Sequence, residues 1–318
     1  MSDAPPIHLQ NGHLQVTLRQ RGAALVGVRL AGHGQNLVLG FADPSDHDRI
    51  PIYAGALVGP IANRLEKGQL TIDGTRYQMA LNEKGVTTLH SGPDGLHAQD
   101  WQVGAQDATS VVLTCALPDG HGGLPGNRQI AARYALDQRT LTVEITATTD
   151  ATTPMNIAAH PYWCLDGKGA VRTHRLHLHT RQYLPTGEDN LPLGAAQDAA
   201  GTLFDFTTPR AVPHDPALDV NYCLPAGTAV QPAATLTGAT GVRLDLSTNA
   251  PGLQVYNGAH LPDLPKALTD QRDLRTFGAI ALEPQHWPNA PHTPGSPSIL
   301  LEPGQTYHQI SRYHITRT

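Results

Sequence analysis

Residues 70–77 read Leu70-Thr71-Ile72-Asp73-Gly74-Thr75-Arg76-Tyr77. An extended run, an Asp-Gly pair and a second extended run are the strongest short-range signal for a β-hairpin. Both central residues of such a turn adopt left-handed backbone, which Gly takes freely and Asp tolerates. The same signal recurs outward along the chain. Leu14 to Leu18 alternates apolar and polar residues, the period of a half-buried strand. Ser110 to Ala116, Leu141 to Ala147, Val242 to Leu246 and Leu253 to Tyr256 repeat it, separated by Gly, Pro, Asp and Asn clusters. No stretch carries a helix of three or more turns at period 3.6. The 31 glycines and 26 prolines fit many turns. The expectation is an all-β sandwich in a single large domain spanning residues 1–318, with no linker, repeat or low-complexity tract.

Composition narrows the function. Charged residues are 15% and apolar ones 40%, which is a folded composition. Lys plus Arg is 22 against 27 Asp plus Glu, a net charge of −5 with no basic run, so a nucleic-acid partner is not expected. A neutral small molecule fits at least as well as a charged one. Three scattered cysteines, Cys115, Cys164 and Cys223, form no CxxC pair and suit a reducing compartment. The opening MSDAPPIHLQNG lacks a secretory pattern and no apolar run reaches membrane-spanning length, so a soluble cytoplasmic protein without a membrane partner is expected.

Seventeen histidines invite metal readings, and spacing tests each. His177 and His179 share one face of a strand, but the next carboxylate, Glu188, lies beyond Pro185 and Gly187; the solvated face of a strand explains them. Glu283-Pro284-Gln285-His286 has a helical ligand spacing, yet Pro284, Pro288 and Pro291 oppose a helix. The glycine-rich 119–126 segment lacks the Gly-Lys-Ser/Thr of a phosphate loop, and there is no Gly-x-Ser-x-Gly elbow.

What remains is a set of polar residues in apolar or turn contexts: Asn63-Arg64, His90, His160, Asp219 and Glu283. Each has an ordinary explanation. Arg64 could pair with Glu66, His90 and Asp219 could be turn residues, His160 a satisfied core histidine, and Glu283 a surface carboxylate at a strand end. The run Phe277 to Leu282 is apolar right up to Glu283, so burial there would raise its pKa and suit it to accept a proton.

Taken in order, these residues resemble the aldose 1-epimerases, or galactose mutarotases, over nearly the whole chain from about Gly22. Asn63-Arg64 with Gly68 and the Asp73-Gly74 hairpin resembles the family's "GRYANRI…G.F.LDG". Leu89-His90-Ser91-Gly92 to Leu96, with Trp101, resembles "LHGG..GF…W", and Asp119-Gly120 to Pro125-Gly126 resembles "DGEEGYPG". Thr153-Pro154-Met155-Asn156-Ile157 through His160, Tyr162 and Leu165-Asp166-Gly167 resembles "TP.NLTNHSYFNLAG". Tyr183-Leu184-Pro185 and Phe204-Asp205-Phe206 resemble "YLP…FDF". Leu253-Gln254-Val255-Tyr256, Leu282-Glu283-Pro284-Gln285 and Pro303-Gly304-Gln305-Thr306-Tyr307 resemble "LQVYTG", "LETQ" and "PGE.Y".

The resemblance implies a β-supersandwich and an isomerase that interconverts the anomers of a free monosaccharide without metal or cofactor. His160 would be the general acid that protonates the ring oxygen and Glu283 the general base that takes the C1 hydroxyl proton. Arg64, His90 and Asp219 would bind sugar hydroxyls, with Asn63 supporting Arg64. The chain departs from the family at Pro60-Ile61, at Pro161 and Trp163, and at Val220, which bears on which sugar is used. Trp163, Trp287 or Tyr162 could cover a sugar C–H face. Alternatives that keep the same fold are a sugar phosphate or sugar lactone as substrate, glycoside hydrolysis through Asp219 and Glu283, and a non-catalytic sugar-binding module.

Overall fold

The computed structural model describes residues 4–167, 170–215 and 217–317, so the extreme ends of the expected 1–318 domain lie outside it. The hairpin forms as read. Gln69–Ile72 pairs antiparallel with Thr75–Gln78, and Asp73 and Gly74 turn between them at φ 48° and 77°. The other alternating segments are all strands, including Leu14–Arg19, Ser110–Leu117, Thr140–Thr149, Val242–Thr248 and Gly252–Tyr256. Among the described residues the only α-helix is the four-residue Asp46–Arg49.

Two large antiparallel sheets dominate. A nine-stranded sheet runs, edge to edge, through Arg210–Ala211, Arg175–Leu178, Gln231–Thr237, Val242–Thr248, Tyr307–Arg317, Thr140–Thr149, Arg128–Asp137, Ser110–Leu117 and Gln102–Gln106. A six-stranded sheet runs through Tyr162–Trp163, Ile280–Gln285, Gly252–Tyr256, Asp219–Cys223, Gln182–Tyr183 and Gln197–Asp198. A smaller sheet of Ile7–Gln10, Leu14–Arg19 and Ala24–Leu30 joins the same apolar core.

The sheets meet through residues that alternate inward. Trp163 and Tyr313, both fully buried, bring rings from the two large sheets within 5.3 Å of each other, as side chains that interdigitate between packed sheets do. Trp163 is therefore core packing, not a sugar platform. Leu253, Val255, Val220, Tyr222, Ile280 and Leu282 of the six-stranded sheet point into the same cluster. That leaves the sheet's other face for polar residues. His177 and His179 do share a face, rings 4.5 Å apart, on a half-buried to exposed surface as expected. Glu283-Pro284-Gln285 lies in a strand, which removes the helical ligand spacing.

Candidate active site

The site is one face of the six-stranded sheet, and strand register assembles it. Tyr162 pairs with Ala281, Ala281 with Tyr256, and Tyr256 with Asp219. One step along, Glu283 pairs with Gln254 and Gln254 with Asn221. Residues paired across strands present side chains to the same face, and residues two apart share it. Two adjacent rows thus place Tyr162, Tyr256 and Asp219 beside Glu283, Gln254 and Asn221.

Buried polar atoms without a hydrogen-bond partner cluster here: Asn221 Oδ1 and Nδ2, Gln254 Oε1, Glu283 Oε2, both side-chain amide atoms of Gln285, and His160 Nδ1. Buried polar groups are normally hydrogen-bonded, so a concentration of free ones marks a surface built to meet a polar ligand.

His160 approaches this face from a break between the two-residue strands Ala158–Ala159 and Tyr162–Trp163. Its backbone N–H donates to the Ala56 carbonyl at 3.0 Å, and its carbonyl accepts from Gly55 N–H at 2.9 Å. The ring lies 4.9 Å from Tyr162 and 5.4 Å from His90. Nε2 stands 3.5 Å from Glu283 Oε2. Burial lowers His160 to about 4. Burial, then the negative charge of Asp219, raises Glu283 well above the carboxylate range, against the pull of Arg64. Both groups favour their neutral forms, so between these limits the pair holds one exchangeable proton.

Asn63, His90 and Ser91 all have left-handed backbone, at φ 61°, 52° and 65°. Such conformations cost energy in non-glycine residues and concentrate at functional sites. Asn63 and His90 hold each other there: His90 N–H donates to the Asn63 carbonyl at 2.9 Å, and Asn63 N–H donates to His90 Nδ1 at 3.1 Å. Asn63 Oδ1 also accepts the Arg64 backbone N–H at 2.9 Å. With Nδ1 accepting, the proton of the neutral His90 ring sits on Nε2, so the ring offers an N–H donor. His90, His160 and Glu283 bring ligand-capable atoms within 4.8 Å of one another, the one such trio among the described residues. A metal on His90 Nε2 would need the proton moved to Nδ1, against Asn63 N–H. As hydrogen-bonded, His90 presents an N–H donor here, which suits a hydroxyl-bearing ligand better than a cation.

Arg64 does not pair with Glu66, which meets Lys67 instead at 2.9 Å. Glu83 grips the guanidinium, with Nε–Oε2 and Nη2–Oε1 both 2.8 Å, and Asp219 Oδ2 lies 3.3 Å from Nη1. Asp219 starts a strand instead of sitting in a turn, and its Oδ1 accepts from Gln254 Nε2 at 2.6 Å.

All six expected residues therefore converge: Asn63, Arg64, His90, His160, Asp219 and Glu283. Tyr162 joins them, whereas Trp287 is half-buried with its indole N–H given to the Pro251 carbonyl at 2.9 Å. Sequence reading missed Tyr53, whose ring lies 4.6 Å from His90, and it missed Glu83 and Asn221. It also gave no role to Gln254 and Tyr256, although they form the polar face of a strand recognised from its alternation.

A family model described as Aldose 1-epimerase matches residues 5–314. A galactose mutarotase of Sus scrofa is 32% identical over 315 residues, covering 95% of this chain and 91% of the relative. An aldose 1-epimerase of Escherichia coli K12 is 30% identical over 322 residues, covering 95% and 92%. Among solved structures, a GalM/aldose epimerase homologue from C. elegans superposes with a TM-score of 0.92 at 27% identity, covering 99% of both chains. A galactose 1-epimerase from Lactobacillus acidophilus superposes with a TM-score of 0.84 at 27% identity, covering 98% of this chain and 94% of that one.

Proposed function

Because this chain belongs to the aldose 1-epimerase family, we propose that it interconverts the α and β anomers of a free aldose with His160 and Glu283 as its acid–base pair. The observation that carries the reading is the buried contact between them, 3.5 Å across and facing a cluster of unpartnered polar atoms. In the proposed step the Glu283 carboxylate takes the C1 hydroxyl proton while the His160 imidazolium protonates the ring oxygen. The C1–O5 bond breaks and C1 becomes a carbonyl. Rotation about C1–C2 and the reverse transfers close the ring on the other carbonyl face.

The electrostatics favour the opening step. Before it the pair's one proton sits on His160, a placement that burial disfavours for both groups; after opening, His160 is neutral and Glu283 protonated, which is the charge state that burial prefers. The site thereby stabilises the protonation state that accompanies the open-chain aldehyde, the high-energy species on the path. A positioned acid or base contributes about 10²–10⁴-fold each.

The surroundings fit a neutral sugar. The Arg64 guanidinium is already held by two carboxylates, Glu83 and Asp219, and a third, Glu283, feels its charge. That balance disfavours a sugar phosphate. A hydrolytic role for Asp219 is weakened because Gln254 and Arg64 engage its two oxygens. In this reading residues 1–318 are one domain, and the three buried free thiols accord with the cytoplasm. Among the described residues no helix is long and apolar enough to cross a membrane.

Anomer-exchange NMR over a panel of D- and L-aldoses tests reaction and substrate together. At least one aldose should exchange faster with the protein, and dialysis against a chelator should leave that rate unchanged. No acceleration for any aldose overturns the reading, and activity lost to the chelator and restored by metal overturns its metal-free mechanism.

A further inference from the structure

Glu83 belongs to none of the segments that carry the family resemblance, yet it makes the shortest contacts to Arg64. It lies on the turn that precedes the strand Thr87–Leu89. Lys84 and Gly85 take left-handed backbone at φ 51° and 68°, and Val86 and Thr87 N–H both donate to the Glu83 carbonyl. This fold-back aims the Glu83 side chain at Arg64, which opens the strand paired to Thr87–Leu89. Thr87 Oγ1 donates to Glu83 Oε2 at 2.7 Å and fixes the carboxylate from behind. Arg64 pulls the half-buried Glu83 below its usual range although burial pushes it up. Conversely, Asp219 and Glu83 keep Arg64 charged against burial.

A guanidinium has five N–H donors in a planar fork and prefers to meet a carboxylate with two of them in parallel. Glu83 takes that bidentate position, using Nε and Nη2. Asp219 receives one longer contact, 3.3 Å, from Nη1. One Nη1–H and one Nη2–H remain. Without Glu83, the nearest carboxylate for the fork is Asp219. Arg64 would then close onto it with two hydrogen bonds and take up the oxygens and donors that face the sheet.

We propose that Glu83 is a positioning residue that holds the Arg64 guanidinium off Asp219, so that both present free hydrogen-bonding capacity to sugar hydroxyls. The proposal rests on the aldose reading and adds a part to it. Glu83 acts on binding through Arg64 and takes no part in proton transfer at C1 or the ring oxygen.

The test is steady-state anomer exchange of the aldose that the panel selects by wild type, Glu83→Gln, Thr87→Val, Arg64→Ala and the double variant Arg64→Ala/Glu83→Gln, with thermal unfolding of each. Glu83→Gln should raise KM about tenfold or more and leave kcat within about threefold. Thr87→Val should raise KM in the same direction by less. In the Arg64→Ala background, Glu83→Gln should change kcat/KM no further, because its effect runs through Arg64. Three results overturn the proposal: Glu83→Gln with wild-type KM, a loss confined to kcat, or an undiminished effect in the Arg64→Ala background. Inactive wild type on every aldose would instead fail the parent reading and the proposal with it, which separates the two failures.

Discussion

Glu283 is a carboxylate 2% exposed in a strand buried on both faces, and its chemistry follows from that placement. The apolar run ahead of it in the sequence announces the burial and the direction of its pKa. His160 gives no such notice. Its neighbours Pro161, Tyr162 and Trp163 allow a core histidine equally well, and strand alternation alone separates their roles. Tyr162 joins the site face while Trp163 enters the sandwich core. Trp163→Ala should therefore lower stability by about 3–5 kcal/mol in denaturant unfolding, with kcat of the folded fraction close to wild type. A loss of kcat at unchanged stability would place Trp163 in the site. The partner of Arg64 was illegible for a related reason. Glu66 is two positions away in the chain, but the fold-back at Lys84-Gly85 delivers Glu83 from 19 positions away.

At the scale of elements, period-two alternation found strands such as Ser110–Leu117, Thr140–Thr149 and Val242–Thr248 because each keeps one face in the core, but it did not single out the long Arg128–Asp137 and Tyr307–Arg317. It could not find Ala158–Ala159 or Tyr162–Trp163, since two residues carry no period, and these are the strands that flank His160. What fixes His160 is a close backbone junction at Gly55. Gly55 N–H donates to the His160 carbonyl, and the Gly55 carbonyl accepts Leu25 N–H at 2.8 Å. Gly55 has φ +76°, and a Cβ there would stand 2.0 Å from the Leu25 carbonyl oxygen. Gly55→Ala should cost on the order of 2–4 kcal/mol through left-handed strain and forced separation. It should also lower kcat, because the same shift displaces His160. Wild-type kcat in a destabilised Gly55→Ala protein would show that His160 is held by other contacts.

The whole molecule buries several imidazoles in neutral form. Burial is the leading cause that lowers His47 to about 3 and His97, His160 and His286 each to about 4. The unfolded chain binds protons near 6.5 that the folded chain refuses, so stability should rise with pH between about 4 and about 6.5. Each of these histidines should remove on the order of 2 kcal/mol of stability between about pH 7.5 and about pH 5. Glu283, raised by burial, opposes them, as it favours folding toward acid. Urea unfolding midpoints should fall across that interval, and a flat profile would mean these rings are protonated in the folded state.

Fold class was legible at this scale because alternation and turns run through the entire chain. The site was legible only as an ordered set of residues from distant segments. Strand register, which no local pattern encodes, is what turns that order into two adjacent rows.

The central claim is that His160 and Glu283 move the two protons of anomer exchange as a unit. Polarimetry of freshly dissolved α-D-galactose, or of the aldose the panel selects, measures this with wild type, His160→Ala, Glu283→Ala and the double variant. Each single variant should lose about 10²–10⁴ of the enzymatic rate, and the double variant little more than the worse single one. A full rate in either single variant would contradict the account.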